Sequence, residues 1–346
     1  MSPLIWSLLI TSLSTSTIIT MASHHWLLAW IGLELNTLSI LPIIMKPHHP
    51  RAAEATIKYF LVQTLAATTI LFASTMTAWQ NGHWSITNSP PSITTATIAM
   101  AIMLKLGLTP THLWYPDVLQ GATLNTALLI STWQKIAPLS LLLMMHNALP
   151  HPLLSLVGLS SALIGGWGGL NQTQTRKIMA YSSIAHMGWI TVALTTNPPI
   201  TTLTLITYTA MTATMFSSLS ASTTKTITHL GTTWTNSPMM TALTLLALLS
   251  LSGLPPLSGF MPKLLILNEL TTKALLPLST LLILASLPSL FFYTRLAYMT
   301  TLTTPPNTTS TEHKWRFKNT YTTTTMLITT ATLLLLPLTS ALYTTT

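Results

Sequence analysis

The 346-residue sequence contains no cysteine and very few charged residues. The absence of cysteine excludes disulfide bonds, thiolate zinc sites, iron–sulfur ligation and a cysteine nucleophile. Asp, Glu, Lys and Arg make up only 5% of the chain, whereas soluble domains carry about 25%. Since 49% of the residues are hydrophobic, there is too little charge to cover a water-facing surface. The composition excludes a soluble globular protein and predicts a polytopic membrane protein.

Eleven segments are long and apolar enough for transmembrane helices, which need about 20 residues. They lie near 3–21, 25–45, 54–79, 93–119, 123–146, 152–171, 177–196, 199–223, 238–272, 275–300 and 321–343. Many are rich in threonine, whose hydroxyl can bond the carbonyl one turn back and so leave no unpaired group in lipid. We therefore expect an all-α polytopic membrane protein of about eleven transmembrane helices, forming a single transmembrane domain over residues 1–346.

The basic residues lie mostly on one side of the predicted membrane. The side that carries the N-terminus has ten of them in connections or at helix ends: Lys46, Arg51, Lys58, Arg176, Lys177, Lys225, Arg295, Lys314, Arg316 and Lys318. The opposite side has only Lys273. This bias predicts the N-terminus on the positive side and the C-terminus opposite. It also explains the net charge of +9 as loop charge, so no nucleic-acid partner is expected. The first span begins at Pro3 without a basic amphipathic leader, and we expect no cleaved presequence.

Two of the predicted segments contain clusters of helix-breaking residues. The fourth contains Gly107, Pro110 and Pro116, and the ninth contains Gly253, Pro255, Pro256, Gly259 and Pro262. Both breaks carry the text Gly-Leu-x-Pro, and they are five crossings apart, which reverses the membrane topology. The pattern predicts an inverted repeat of two five-helix units with two discontinuous helices. The first repeat would cover about 3–146 and the second about 152–300, followed by a C-terminal helix near 321–343. A pair of ordinary proline kinks is the alternative.

Four charged residues fall well inside predicted spans: Glu34, Lys105, Lys135 and Lys263. Each costs at least ~2.5–3.5 kcal/mol at the bilayer centre, so these side chains must face one another, buried water or other polar groups. Burial favours the neutral form of a lysine, while a nearby carboxylate favours the charged form. Such a set is suited to proton relay. The alternative is that Glu34 pairs permanently with one lysine and only fixes helix packing.

Other polar and small residues inside the spans carry weaker signals. His112 and His186 are possible members of the relay, because imidazole titrates near neutral pH, but each is as easily a hydrogen-bonded core histidine. Asp117 follows the fourth span and caps it, orients it or couples it to a neighbouring subunit. Gly165 and Gly169 form a small-xxx-small face for close helix packing. The sequence contains no phosphate-binding glycine loop, metal-ligand cluster or nucleophile constellation, and no cofactor or metal is expected to bind this chain.

Five ordered motifs resemble those of one known family. They are WIGLELNTLSILP, LKLGLTPTHLWYPDVLQG, LLISTWQKIAPLSLL, QTQTRKIMAYSSIAHMGW and LSGLPPLSGFMPKLLIL. Together they are similar to the antiporter-like membrane subunits of respiratory complex I, most closely to the mitochondrially encoded animal form. The resemblance covers essentially the whole chain. It implies a core membrane subunit of NADH:ubiquinone oxidoreductase that translocates protons, coupled to quinone reduction elsewhere in the complex.

The resemblance also implies roles for individual residues. Glu34 matches the family's intramembrane glutamate, and Lys105 and Lys263 match the lysines of the two broken helices. Lys135 matches the bridging lysine of the helix after the first break. His112 and His186 match polar positions on the same axis.

The remaining expectations from the resemblance concern cofactors, partners and location. NADH, FMN, iron–sulfur clusters and ubiquinone are expected in other subunits, and this chain would hold no redox centre. The implied partners are other antiporter-like and small hydrophobic membrane subunits, supernumerary subunits, and phospholipids including cardiolipin. The implied location is the mitochondrial inner membrane, with the N-terminus in the matrix and the C-terminus in the intermembrane space. A stand-alone or multi-subunit cation/proton antiporter is the alternative, and a structural subunit with vestigial charges is a third reading.

Overall fold

The computed structural model describes residues 3–87, 93–235, 237–255, 257–302, 329, 330 and 332. Within these ranges the chain forms fourteen α-helices: α1 Pro3–Ala22, α2 Trp26–Met45, α3 Pro50–Asn81, α4 Ile93–Leu106, α5 Trp114–Gly121, α6 Leu124–Ser131, α7 Trp133–Met144, α8 His151–Leu170, α9 Thr175–Thr196, α10 Pro198–Ser222, α11 Ile227–Thr232, α12 Pro238–Ser252, α13 Phe260–Thr272 and α14 Leu276–Thr301. Short 3-10 turns follow at His146–Ala148 and Thr233–Thr235. Apart from residues 329, 330 and 332, the predicted segment at 321–343 lies outside the described residues.

The first ten predicted segments all correspond to helices. Seven helical stretches in the described ranges are long and apolar enough to cross a membrane: α1, α2, α3, α6 with α7, α8, α9 and α14. α10 has 25 residues, but it is more polar because it contains seven threonines and four serines. The fourth and ninth segments are each made of two shorter helices. α3 begins at Pro50, four residues before the predicted start, because His49 accepts a hydrogen bond from the Arg51 N–H and caps the helix.

The two breaks predicted from the sequence are confirmed. α4 ends before Gly107 and α12 ends before Gly253, and these glycines have φ of 73° and 81°. This left-handed conformation ends a helix with little strain only when the residue has no Cβ. Pro110 and Pro255 follow inside the two breaks, and Pro256 lies outside the described residues.

A third discontinuity divides the fifth segment, which we expected to be one helix. Thr132 separates α6 from α7 with φ −112° and ψ −71°. Its hydroxyl donates to the carbonyl of Leu128 at 2.7 Å, a bond that offers the backbone an alternative to the regular helix ladder. The N–H of Lys135 donates to the carbonyl of Thr132 at 3.3 Å. Lys135 therefore lies in the first turn after a helix interruption.

Threonine and serine hydroxyls along the helices donate hydrogen bonds to backbone carbonyls about one turn earlier, as expected. Thr17 donates to the Ser14 carbonyl at 2.7 Å, and Thr214 donates to the Met211 carbonyl at 2.6 Å. Large apolar side chains cover the outer surface, and Phe72 is one of the most exposed. Threonine-rich helices can therefore face lipid without leaving unpaired donors.

The chain divides into two compact units, Met1–Ser161 and Ala162–Thr346. In the first unit, α1 and α2 pack closely at Gly32, where an added Cβ would lie 3.2 Å from the carbonyl oxygen of Ser16. α3 packs against α4 and α5 and also contacts α2. α7 packs against α4 and also contacts α1 and α2.

The second unit has its core between α8, α9, α13 and α14. The buried residues of this core include Trp189, Val192, Ile266, Leu270 and Leu282. A Cβ on Gly165 would lie 2.6 Å from the backbone nitrogen of Ala185, and one on Gly169 would lie 2.8 Å from the ring of Phe292. Both glycines therefore lie at close-packing positions, but Gly165 packs against α9 and Gly169 against α14 rather than forming one face.

Two short backbone bridges join connections between helices. In the first unit, the Trp26 N–H donates to the Trp84 carbonyl at 3.0 Å and the Ile86 N–H donates to the His24 carbonyl at 3.1 Å. In the second unit, the Thr175 N–H donates to Lys225 at 3.2 Å and the Ile227 N–H donates to Thr173 at 3.1 Å. The first bridge joins the α1–α2 connection to the α3–α4 connection, and the second joins the α8–α9 connection to the α10–α11 connection.

Candidate functional site

Lys105 lies in the last turn of α4, two residues before the glycine that ends the helix. Its side chain is buried, with 6% of the residue exposed. Within the described ranges, Nζ has no hydrogen-bond partner. The Lys105 carbonyl accepts a hydrogen bond from Gln63 Nε2 of α3 at 3.3 Å. The break thus holds a lysine inside the unit with its amine available to a small polar ligand.

A cavity of about 20 Å³ lies beside Lys105. Its polar lining includes Asn36, Tyr59, Gln63, Lys105, Gln134 and Lys135. A cavity of this size has room for about one water molecule. Lys135 is only 3% exposed, and its Nζ lies 5.0 Å from the centre of the Tyr115 ring. Two of the four predicted charged residues therefore face the same small polar space.

Glu34 lies near the middle of α2, in the same unit. Its Oε2 is buried and has no hydrogen-bond partner in the part of the chain that the structure describes. The carboxylate interacts electrostatically with Lys105 and Tyr59. Among the described residues, however, no ion pair within 4 Å joins Glu34 to a lysine. A carboxylate and a buried lysine that are not in direct contact can interact through a bridging water molecule.

A hydrogen-bond network that sequence reasoning missed lines the same cavity. Gln134 Nε2 of α7 donates to Asn36 Oδ1 of α2 at 3.0 Å. The Tyr59 hydroxyl of α3 donates to Gln134 Oε1 at 3.4 Å. All three side chains are buried. The one signal in the sequence was the position of Gln134 next to Lys135, which did not identify its partners on other helices.

The other polar residues predicted around the first break lie apart from this cavity. His112 is buried in the segment between α4 and α5, but it is not among the residues that line the cavity. Asp117 in the first turn of α5 bonds Lys58 of α3 at 2.9 Å, and Lys58 also pairs with Glu54 at 2.7 Å. Asp117 therefore ties α5 to α3 through a partly exposed ion-pair cluster.

Lys263 is held at the second break, in the second unit. It lies in the first turn of α13, and its Nζ donates to the carbonyl of Ser252, the last residue of α12, at 2.8 Å. The same Nζ lies 5.8 Å from the centre of the Trp189 ring. A Cβ on Gly253 would come within 2.9 Å of this nitrogen. The carboxyl end of a helix carries partial negative charge, so α12 favours a cation at this position.

His186 on α9 shares a cavity of about 20 Å³ with Lys263. Its Nε2 lies 3.3 Å from the Tyr293 hydroxyl, and its ring lies 5.7 Å from that of Tyr208. Thr204 and Thr207 of α10 also line the cavity. The second unit therefore combines a lysine, a histidine and hydroxyl groups around a space with room for about one water.

The structure thus groups the predicted site residues by unit. Lys105 and Lys135 line one cavity of the first unit, and Glu34 lies outside that lining but interacts electrostatically with Lys105. His186 and Lys263 line one cavity of the second unit. Each group combines buried titratable side chains with a small polar cavity, an arrangement that can bind and release protons without exposing the site to bulk solvent.

Comparison with family models identifies the chain over nearly its whole length. Residues 23–289 match the model described as NADH:quinone oxidoreductase/Mrp antiporter, TM. Residues 290–343 match the model of the NADH dehydrogenase subunit 2 C-terminus. The first match covers both breaks and all six predicted site residues.

Individual relatives and solved structures agree with the family models. The NADH-ubiquinone oxidoreductase chain 2 of Carassius auratus is 52% identical over 345 residues, 99% of both chains. That of Gallus gallus is 52% identical over 327 residues, 94% of both chains.

Among solved structures, a chain of respiratory complex I from Thermus thermophilus aligns with a TM-score of 0.81 and 26% identity, covering 96% of this chain and 79% of that chain. A chain of the Mrp complex from Dietzia sp. shares the fold, with a TM-score of 0.83 and 16% identity over 97% of this chain and 75% of that chain. The family models, the breaks and the full-length relatives agree, and the chain belongs to the NADH-ubiquinone oxidoreductase chain 2 family.

Proposed function

We propose that this chain is a proton-translocating core membrane subunit of NADH:ubiquinone oxidoreductase. The observation that carries the proposal is Lys105, a buried lysine beside a helix break that shares a water-sized polar cavity with Lys135. Membrane-buried ionisable residues are costly and mark ion or proton pathways. The full-length relatives, which are named NADH-ubiquinone oxidoreductase chain 2, support the assignment to this enzyme.

In the first unit, Lys105 loads and releases a proton under the influence of Glu34. The carboxylate stabilises the ammonium form when it is near, and burial favours the neutral amine when the carboxylate is screened or withdrawn. Lys135 receives the proton through the shared cavity. His112 is a possible further member, supported by its burial in the adjacent break.

In the second unit, Lys263 performs the corresponding step with His186. The C-terminal carbonyls of α12 stabilise the ammonium of Lys263, and discontinuous helices in transporters use such half-helix ends to hold cations. His186 exchanges protons with the cavity because imidazole donates and accepts through its two nitrogens. Glu34, Lys105, Lys135, Lys263, His112 and His186 together form the proposed relay.

The proposed architecture is an inverted repeat of about eleven transmembrane helices. The two breaks begin with left-handed glycines in the same local text, five crossings apart. The two backbone bridges are also five crossings apart, since one joins the first and third connections and the other joins the sixth and eighth. This double correspondence supports repeats of about 3–146 and 152–300, with a C-terminal helix near 321–343.

The proposed orientation has the N-terminus in the mitochondrial matrix and the C-terminus in the intermembrane space. The basic bias of the connections supports it. Contacts within the second unit support the expected grouping of the connections by face, whichever face is the matrix: Arg295 donates to the Leu170 carbonyl at 2.6 Å, and Lys273 donates to the Thr196 carbonyl. In each pair the two residues lie at connections expected on the same face.

The proposed partners are the other membrane subunits of the complex, supernumerary subunits and phospholipids including cardiolipin. NADH, FMN, iron–sulfur clusters and ubiquinone would be bound by other subunits, and this chain would hold no redox centre. The exposed apolar faces of the helices, with Leu61 and Phe72 among their residues, support contact with lipid or neighbouring subunits.

A cation/proton antiporter is the second candidate, favoured by the fold shared with the Mrp complex. A sodium site would require oxygen ligands at the breaks. The second break instead places the Lys263 amine at the helix end, which favours a proton-linked function.

A native gel of mildly solubilised membranes, probed for this chain and stained for NADH oxidation, distinguishes the two candidates. Co-migration with a very large NADH-oxidising assembly supports the proposed function. A small band without that activity supports the antiporter and contradicts the proposal.

A further inference from the structure

Gln134 joins three helices of the first unit at the edge of the cavity that contains Lys105. Its amide nitrogen donates to Asn36 on α2, and its amide oxygen accepts from the Tyr59 hydroxyl on α3. An amide has one donor end and one acceptor end, so these two bonds fix its orientation. Gln134 directly precedes Lys135 in α7, and the same two bonds therefore fix the start of the lysine-bearing helix.

The Lys105 amine has three donors and no acceptor among the described side chains. The cavity beside it has room for about one water, which needs two to four polar partners. Asn36, Tyr59, Gln63 and Gln134 line the cavity and supply these partners. Gln134 has hydrogen bonds at both ends of its amide, and its carbonyl oxygen keeps a lone pair after the bond from Tyr59.

We propose that Gln134 is a positioning residue for proton transfer at Lys105: its fixed amide oxygen orients a water molecule that takes the proton from the ammonium. This inference rests on the proposed function above. The Lys105 ammonium gives a proton to the water, and the water gives one of its protons to the neutral amine of Lys135. Lys105 ends neutral and Lys135 ends as an ammonium, the water is regenerated, and nothing is oxidised or reduced.

The test uses the assembled complex in proteoliposomes and measures protons moved per NADH oxidised. Gln134→Leu has similar size but no acceptor, and it should lower this ratio several-fold while the complex assembles in normal amount. Gln134→Asn keeps a neutral amide with one donor end and one acceptor end and should retain more of the ratio than Gln134→Leu. Gln174→Leu, outside the cavity, is the matched control and should leave the ratio unchanged. A residue that only supports folding would change abundance and leave the ratio unchanged.

An unchanged ratio in Gln134→Leu, or equal losses in Gln134→Leu and Gln134→Asn, overturns the role of Gln134. If Gln134→Leu fails to accumulate, Tyr59→Phe removes one hydroxyl and should still lower the ratio, and an unchanged ratio there overturns the proposal. Lys105→Met distinguishes a failure of the proposed function from a failure of the positioning role of Gln134. Full pumping in Lys105→Met contradicts the proposed function itself, whereas impaired Lys105→Met beside normal Gln134→Leu contradicts only the positioning role.

Discussion

Single residues decide where a buried lysine amine can rest. Lys263 reaches the Ser252 carbonyl across Gly253, where a side chain would collide with the amine. Gly253 is therefore required twice, once for its left-handed backbone and once for the space that the lysine uses. Gly82 ends α3 with a similar φ of 74°, but nothing lies within 4 Å of its would-be Cβ. A substitution at Gly82 therefore adds backbone strain only, whereas a substitution at Gly253 adds backbone strain and also displaces the lysine.

Gly253→Ala should lower coupled turnover of the assembled complex several-fold, because the new methyl group displaces the Lys263 amine from α12. Both Gly253→Ala and Gly82→Ala should also lose about 1–2 kcal/mol of stability from the left-handed backbone. The measurement is NADH-driven proton uptake, normalised to the amount of complex. Equal turnover in the two variants would mean that the space beside Gly253 does not matter.

Helices and their breaks could be predicted from the sequence where glycine or proline marks a helix end. Gly107 and Gly253 end their helices because glycine adopts positive φ without strain. The Gly-Leu-x-Pro sequence at each of them allowed both breaks to be predicted. The break at Thr132 was missed because no glycine or proline lies at that position to mark it. The bonds of Gln134 were also missed, because hydrogen bonds between helices depend on tertiary packing that spacing along the chain does not encode.

Gly259→Ala should prevent accumulation of the assembled subunit. The added Cβ would overlap the carbonyl of Ser250, a backbone atom in the last turn of α12, so α12 and α13 cannot keep their relative placement. Quantitative immunodetection on a native gel measures the effect, with Gly82→Ala as the control. Normal amounts of complex in Gly259→Ala would show that the break tolerates a wider separation of its two helices.

At the scale of the whole molecule, the natural absence of cysteine allows a direct test of orientation. Lys46 lies in the connection after α2 and His83 in the connection after α3, and both are exposed. A membrane-impermeant maleimide should label Lys46→Cys from the matrix face and His83→Cys from the opposite face, as the basic bias of the connections predicts. The subunits of the labelled complex are then separated on a denaturing gel, so that the maleimide bound to this chain is measured by itself. Labelling of both from one face would contradict the assigned topology.

The most direct test of proton translocation is the pumping activity of the complex that carries Lys105→Met. The exposed lysine variant Lys225→Met is the charge-matched control. We expect Lys105→Met to lower proton uptake per assembled complex by about 10-fold or more, since a positioned proton-transfer group contributes ~10²–10⁴-fold, while abundance stays near that of the control. Full coupled pumping in assembled Lys105→Met would contradict the claim that this chain relays protons through its buried lysines.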